Sequence, residues 1–265
     1  MSKRICFAFS ISTVVSSLLF SQTPDTVFLE ELTWTEVHAA IESGTTTIIV
    51  PTAGTEQNGP HMVLGKHKYR IKAGAERIAR ALGNTLVAPV MTYVPEGDID
   101  PPSGHMRFAG TISIPAKVFE SVLEYTARSL KQHGFINILL IGDSGPNQRP
   151  QKFIADKLSK EWLQDGTKVF HIGDWYKIGV FDEYLVTQGA NHDQIGNHAG
   201  LRDTSLLLAI APQHVRVNNL SQGQGQDVDG VSGDPTIATK ELGRVGFDLI
   251  FDAAMGQIRE LMELD

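Results

Sequence analysis

Apolar residues recur along the chain with two different periods. Four short runs rich in valine, isoleucine and threonine predict β-strands. These runs lie at Thr45–Val50, Thr85–Val90, Ile136–Ile141 and Thr167–Ile172. Longer segments with helical spacing follow the first three of them, at about Tyr69–Leu82, Pro115–His133 and Gln151–Gln164. Strands that alternate with helices of ten or more residues predict a layered α/β/α domain with a mainly parallel central sheet.

The flanking segments extend this pattern. A short helix is predicted at Trp34–Ser43, and a last helix at about Lys240–Leu264 carries an apolar stripe typical of a packing face. The strand Ile136–Ile141 is almost wholly apolar, as expected of a strand covered on both faces. We therefore predict one domain over residues 22–265, a length that suits a single large core.

The first 21 residues have the pattern of a secretory signal peptide. Lys3 and Arg4 precede an uncharged run, Ile5–Phe20, and small polar residues follow it. An uncleaved membrane anchor is the alternative, but the run is short and diluted by serine and threonine. The single cysteine, Cys6, lies inside this segment, so the mature chain is expected to form no disulfide. The prediction is a periplasmic or secreted protein that does not associate with a membrane after cleavage.

Net charge narrows the choice of partners. The 265 residues carry a formal charge of -7, and no basic block stands out. A nucleic acid is therefore not an expected partner, because its phosphates require clustered lysine and arginine.

Candidate chemistry is densest in the segment Thr55–His67, directly after the first strand. Glu56, His61 and His67 lie here among glycine and proline residues. Carboxylates and imidazoles at the carboxyl end of a strand are suitable ligands for a divalent metal. A helix-capping loop with surface histidines is the alternative for any one of them. Three further polar segments follow, at Ser103–His105, Gly142–Asn147 and Gly196–Ser205.

These segments, in this order, resemble the motifs of the creatininase family. The matching stretches are Thr55-Glu56-Gln57-Asn58-Gly59-Pro60-His61, Gly110-Thr111-Ile112-Ser113, Gly142–Asn147 and His198-Ala199-Gly200-Leu201-Arg202-Asp203-Thr204-Ser205. The resemblance implies an α/β domain with one or two divalent metals at the strand ends. It also implies hydrolysis of an amide-type C–N bond in a small-molecule substrate, and a homo-oligomer.

The chain departs from the family pattern at the metal ligands. The resemblance places the ligands of the first metal at Glu56, His67 and Asp143, where histidine and aspartate have exchanged positions. A histidine ligand of the second metal is replaced by Asn58. The position that is glutamate in the creatinine-hydrolysing members is Gly145. We therefore expect one divalent metal, with zinc as the default and manganese or iron as alternatives.

The remaining roles also follow from the resemblance. His198 is the candidate acid and base, and Asp203 is expected to hold its tautomer or to contact the metal. Side chains expected to orient ligands or bind substrate are His61, Asn58, His105, Ser144 and Asn147. Specificity is expected from the loops Pro95–Arg107 and Trp175–Gln194, where aromatic residues can line a pocket or simply pack.

Two other functions remain open from the sequence. Loss of the second-metal ligands also fits a family member without catalytic activity that binds a small ligand or partner. The same site can also hydrolyse a lactone in place of an amide.

Overall fold

A four-stranded sheet lies at the centre of the computed structural model, which describes residues 24–264. Its strands are β1 (Thr47–Thr52), β2 (Thr85–Val87), β3 (Asn137–Gly142) and β4 (Lys168–His171). They run in the order β2-β1-β3-β4, and all neighbours are parallel. This confirms the predicted α/β class with a parallel sheet. The predicted signal peptide, residues 1–21, lies outside the described residues.

Eight α-helices accompany the sheet within residues 24–264. They are α1 (Trp34–Glu42), α2 (Lys66–Leu82), α3 (Ala116–Gln132), α4 (Gly145–Glu161), α5 (Gly179–Thr187), α6 (His192–Ile195), α7 (Leu201–Ile210) and α8 (Lys240–Met262). The three connections between successive strands contain α2, α3 and α4 in turn. In this part of the chain, every helix is too short or too polar to cross a bilayer.

The two faces of the sheet are covered by different cores, because successive strand residues point to opposite sides. Ile49 and Leu139 contribute to the core that includes residues of α2, α5, α7 and α8. Ile48 and Leu140 contribute to the core that includes residues of α3 and α4. The almost wholly apolar sequence of β3 thus follows from its burial on both faces.

Two helices that reach the site begin earlier than the sequence predicts. Helix α2 begins at Lys66 and not at Tyr69, which places Lys66 and His67 in its first turn. Helix α4 begins at Gly145 and not at Gln151, although Pro150 lies inside it. Pro146, in the first turn, fits there because the first N–H groups of a helix have no intrahelical partner.

The order of the strands determines where a site can form. From the central pair β1 and β3, the chain continues to β2 on one side and to β4 on the other. Such a reversal leaves a crevice at the carboxyl ends of the central strands, where ligands of open α/β sheets bind. Glu56 follows β1 and Asp143 follows β3, so both lie at this crevice.

Candidate metal and substrate site

A cavity of about 200 Å³ lies at this carboxyl edge. The loop after β1, the first turn of α2, the start of α4 and the segment before α7 all contribute to its wall. His105, from the first predicted specificity loop, and Tyr176, from the second, also line it. Phe181 of the second loop is fully buried in the core instead.

The three predicted metal ligands meet, but they bond to one another. His67 places Nδ1 at 2.7 Å from Asp143 Oδ2 and Nε2 at 2.7 Å from Glu56 Oε1. Asp143 Oδ1 also accepts a hydrogen bond of 2.9 Å from Trp175 Nε1. Both ring nitrogens of His67 are therefore engaged by carboxylates. The three residues form a hydrogen-bonded chain, which differs from the expected open metal shell.

The charges in this chain stabilise one another. Burial and the Lys66 ammonium lower the pKa of His67, but the carboxylates of Glu56 and Asp143 outweigh them and raise it. Burial alone would raise the pKa of Glu56, yet the positive charges of His67 and Lys66 hold it well below its usual range. The geometry thus favours an imidazolium between two carboxylates.

A second group around Glu56 has the arrangement of a metal site. Ligand atoms of Glu56, His105 and His198 all lie within 4.8 Å of one another. His105 Nε2 lies 3.3 Å from Glu56 Oε2, and His198 Nδ1 lies 3.8 Å from Glu56 Oε1. Two imidazoles and one carboxylate are a common protein ligand set for zinc and related divalent metals. This cluster supports binding of a divalent metal.

Gln57 holds both histidines of this cluster. Its backbone carbonyl accepts a 2.8 Å hydrogen bond from His198 Nε2, so Nδ1 presents a lone pair towards Glu56. The Gln57 side chain contacts His105 Nδ1 through Nε2 at 3.0 Å, while its Oε1 accepts from Gly59 N–H. In this arrangement Nδ1 of His105 is an acceptor, and coordination through Nε2 requires rotation of the Gln57 amide. The tautomer of His198 is set by Gln57 and not by Asp203.

A buried ion cluster borders the metal site. Lys66 Nζ lies 3.2 Å from Asp203 Oδ2 and 3.6 Å from Glu56 Oε1. Arg70 Nη1 donates to Asp203 Oδ1 at 2.8 Å. Burial would raise the pKa of Asp203, but Lys66 and Arg70 lower it well below its ordinary value. Asp203 therefore remains ionised and fixes the Lys66 ammonium beside Glu56.

Of the other residues predicted to orient ligands or bind substrate, three form hydrogen bonds within the protein and one lines the cavity. His61 bonds Thr204 Oγ1 at 3.0 Å and is fully buried, and Asn58 donates to the backbone carbonyl of Glu56 at 2.9 Å. Asn147 ties α4 to the end of β1 through Thr52 and Ala53. Asn58 and Asn147 thus hold the backbone near the end of β1, and His61 joins the loop after β1 to α7. Ser144 lines the cavity at the start of α4.

Sequence reasoning missed several residues at the site. Lys66, Arg70 and Gln57 are described above, and the fourth is Glu96. Both Glu96 oxygens are buried, and a protonated Glu96 can donate to the adjacent Glu56 carboxylate. Burial and the Glu56 carboxylate raise the pKa of Glu96 to about 10, so it is neutral at ordinary pH. A side chain at Gly54 would strike Glu96, a constraint visible only in three dimensions. The one available signal was the position of Glu96 in the predicted loop Pro95–Arg107.

The fold and the site together define a parallel α/β protein with a candidate divalent-metal site at the carboxyl edge of its sheet. The sequence model of the creatinine amidohydrolase (creatininase) family matches residues 30–258. The chain therefore belongs to the creatininase family of hydrolases.

Individual relatives agree with this assignment. A creatinine amidohydrolase of Pseudomonas putida is 26% identical over 202 residues, which cover 73% of this chain and 75% of that protein. A mycofactocin precursor peptide peptidase of Mycobacterium ulcerans is 26% identical over 249 residues, or 84% of this chain and 89% of that protein. A creatinine amidohydrolase crystal structure has a TM-score of 0.75 at 22% identity, covering 89% of this chain and 98% of its own. A manganese form of creatininase gives a TM-score of 0.74 at 23% identity, with the same coverage.

Proposed function

We propose that the protein is a metal-dependent amidohydrolase that cleaves a C–N bond of a small molecule at a site for one divalent metal. The observation that carries this proposal is the cluster of Glu56, His105 and His198 on the wall of the cavity. These residues would hold the metal, with zinc as the first candidate and manganese or iron as the alternatives. A bound metal would supply Lewis acidity for the scissile carbonyl and lower the pKa of an attacking water towards about 7.

His198 suits a ligand better than the acid and base role expected from the sequence. Burial, assisted by the Lys66 ammonium, lowers the pKa of His198 to about 4. The ring is therefore neutral near pH 7, which is the form that coordinates metals. A group with so low a pKa is also a weak proton donor at that pH. We accordingly assign His198 to metal binding.

Lys66 supplies the second positive charge of the site. Its ammonium lines the cavity beside Glu56 and can stabilise negative charge that develops on the substrate oxygen during attack. Asp203 positions this ammonium, which gives the residue an indirect part in catalysis. A fixed cation next to Glu56 also disfavours a second metal there. The Glu56/His67/Asp143 chain would then orient Glu56 towards the metal.

The type of bond is proposed from the relatives. Two of them are named an amidohydrolase and a peptidase, and both names denote hydrolysis of C–N bonds. An amide of a small molecule or of a short peptide is therefore the proposed substrate. If the substrate is a lactone, the same residues would act on the carbonyl of an ester in place of that of an amide.

Metal analysis combined with an activity screen tests the proposal. The mature protein, residues 22–265, is dialysed against zinc or manganese, and bound metal is measured by mass spectrometry. We expect one ion per chain, a loss of at least tenfold in affinity in Glu56→Gln and His198→Asn, and hydrolysis of at least one member of an amide and lactone panel. The exposed His192 supplies the control, His192→Asn. A metal content near zero, or one unchanged by the two site variants, would contradict the proposal.

Export and assembly form separate proposals. Residues 1–21 would direct the protein to the periplasm or out of the cell, which fractionation of the full-length chain tests against a chain starting at residue 22. Homo-oligomer formation is tested by light scattering of the mature protein.

A further inference from the structure

One corner of the cavity carries donors that the proposed metal chemistry does not use. Arg202 is 4% exposed and lines the cavity. Its Nη1 donates to both oxygens of Asp182, at 2.7 and 2.6 Å. Its Nε is buried and has no hydrogen-bond partner among the residues that the structure describes. An unpaired buried donor is unfavourable, so a ligand atom that accepts from it would be bound readily.

The first turn of α4 forms the neighbouring wall. Helix α4 has 17 residues, and Ser144, the residue before its first turn, makes no side-chain capping hydrogen bond. The positive end of a helix favours an anion. In this turn Pro146 has no N–H and the Asn147 N–H donates to the Ser144 carbonyl at 3.2 Å, so the Gly145 N–H is the donor that would meet an anion. Ser144, Gly145 and Pro146 all line the cavity.

Tyr176 completes the corner. A Cβ atom at Gly145 would lie 3.3 Å from the Tyr176 hydroxyl, so glycine leaves the space between the helix and the ring open. Burial chiefly raises the pKa of Tyr176 to about 12. The phenol therefore remains protonated and can donate a hydrogen bond. A guanidinium, a phenol and a helix N-terminus thus line the same cavity as the Glu56 cluster.

We propose that this corner, formed by Arg202, Tyr176 and the first turn of α4, binds a carboxylate group of the substrate. The inference rests on the proposed function and narrows its substrate to a small amide that also bears a carboxylate. The planar guanidinium suits the two oxygens of a carboxylate. Asp182 already offsets part of the Arg202 charge, which favours a monoanion over a phosphate dianion. The cavity of about 200 Å³ leaves space for the carboxylate and the scissile amide together.

Binding of two matched probes to the metal-stripped protein tests this inference. The probes are N-acetylglycine, which carries a carboxylate, and N-acetylglycinamide, its neutral analogue. Calorimetry is expected to show at least tenfold tighter binding of N-acetylglycine to the wild type. Arg202→Gln should abolish this preference. Arg216→Gln, a change at an exposed arginine that donates to the Gln213 carbonyl, should leave it intact.

Asp182→Asn separates ligand binding from a structural role of Arg202. If Arg202 binds the carboxylate, release of its charge should tighten N-acetylglycine binding about threefold or more. If Arg202 serves only to pair with Asp182, neither Asp182→Asn nor Arg202→Gln should distinguish the two probes. Each variant should then weaken the binding of both probes equally, or leave the binding of both unchanged. Should Arg202→Gln fail to fold, Gly145→Ala tests the same corner, because the added methyl meets Tyr176 and should reduce the preference.

The outcomes distinguish this inference from the proposed function. Equal binding of the two probes, or no detectable binding of either, overturns the carboxylate site and leaves the metal result unaffected. A clear preference for N-acetylglycine in a protein that binds no metal supports the site while the hydrolase proposal fails. No turnover is measured, so loss of activity cannot be mistaken for loss of binding.

Discussion

Lys66 and Asp203 form a buried ion pair, with Nζ 3.2 Å from Oδ2, although 137 positions separate them in the chain. Lys66 is 1% exposed, and its ammonium also lies 3.6 Å from Glu56. A buried cation of this kind is stable only where carboxylates compensate its lost hydration. The pair therefore joins the first turn of α2 to α7 and supplies a fixed positive charge to the cavity.

Replacing this ammonium should increase the number of metal ions bound. In Lys66→Met, Glu56 and Asp203 lose a shared cation, and a second divalent ion can take its place. We expect dialysis against zinc followed by metal analysis to show one ion per chain in the wild type and two in the variant. Without zinc, Lys66→Met should lose about 3 kcal/mol of unfolding free energy, because the buried carboxylates of Glu56 and Asp203 lose the cation they share and keep only His67 and Arg70.

The neighbouring lysine provides the control for this experiment. Lys68 is exposed in the same helical turn, so Lys68→Met should change neither metal content nor stability. Two ions in the wild type, or one ion in Lys66→Met at saturating zinc, would show that the ammonium does not exclude a second metal.

Substitution of Gln57 should also change the metal affinity, although Gln57 is not one of the proposed metal ligands. Gln57→Glu replaces the amide that donates to His105 Nδ1 with a carboxylate that accepts from it. Nε2 of His105 then presents its lone pair to the metal site. Outer hydrogen-bond partners of this kind change metal affinity by about 10–100-fold. We expect Gln57→Glu to bind zinc about tenfold more tightly in a competition titration with a chelator, and an unchanged affinity would count against His105 as a ligand.

The sequence was sufficient to predict the layers of the fold and the segments that form the site. The alternation at Ile48 and Ile49 reflects backbone geometry, so it predicts two covered faces without knowledge of the partners. The direction of buried polar side chains depends on contacts from distant segments. His67 lies at the expected edge, yet Glu56 and Asp143 occupy both of its ring nitrogens. Lys66 looks like a surface residue in the sequence, because nothing local shows that Asp203 will meet it.

Trp175 should contribute to stability through its hydrogen bond with Asp143. Its Nε1 donates at 2.9 Å to a carboxylate that is 1% exposed. Trp175→Phe keeps most of the packing but removes this donor, and a hydrogen bond to a charged group is worth about 1.5–3 kcal/mol. We expect a loss of about 2 kcal/mol in urea denaturation. Trp162→Phe is the matched control, since the Trp162 indole bonds the half-exposed Glu161 and should contribute less. Equal losses in the two variants would assign the effect to packing.

Glu96 should make the free energy of unfolding decrease as the pH rises. Its pKa is about 10 in the folded protein, chiefly because it is buried and secondly because it lies beside the Glu56 carboxylate. An unfolded chain releases this proton near pH 4.5, the ordinary value. Between these two values the folded state binds the extra proton, so the free energy of unfolding falls as pH rises, by up to about 1.4 kcal/mol per pH unit.

Glu96→Gln isolates this contribution because the amide has a similar shape and does not titrate. Urea denaturation of the metal-stripped protein at pH 5.5 and pH 8.5 should show a smaller decrease for Glu96→Gln than for the wild type, by about 2 kcal/mol or more. Glu260→Gln, a change at an exposed position of α8, should keep the wild-type decrease. If Glu96→Gln retains the full pH dependence, then Glu96 is ionised in the folded protein and another cation in the site must compensate its charge.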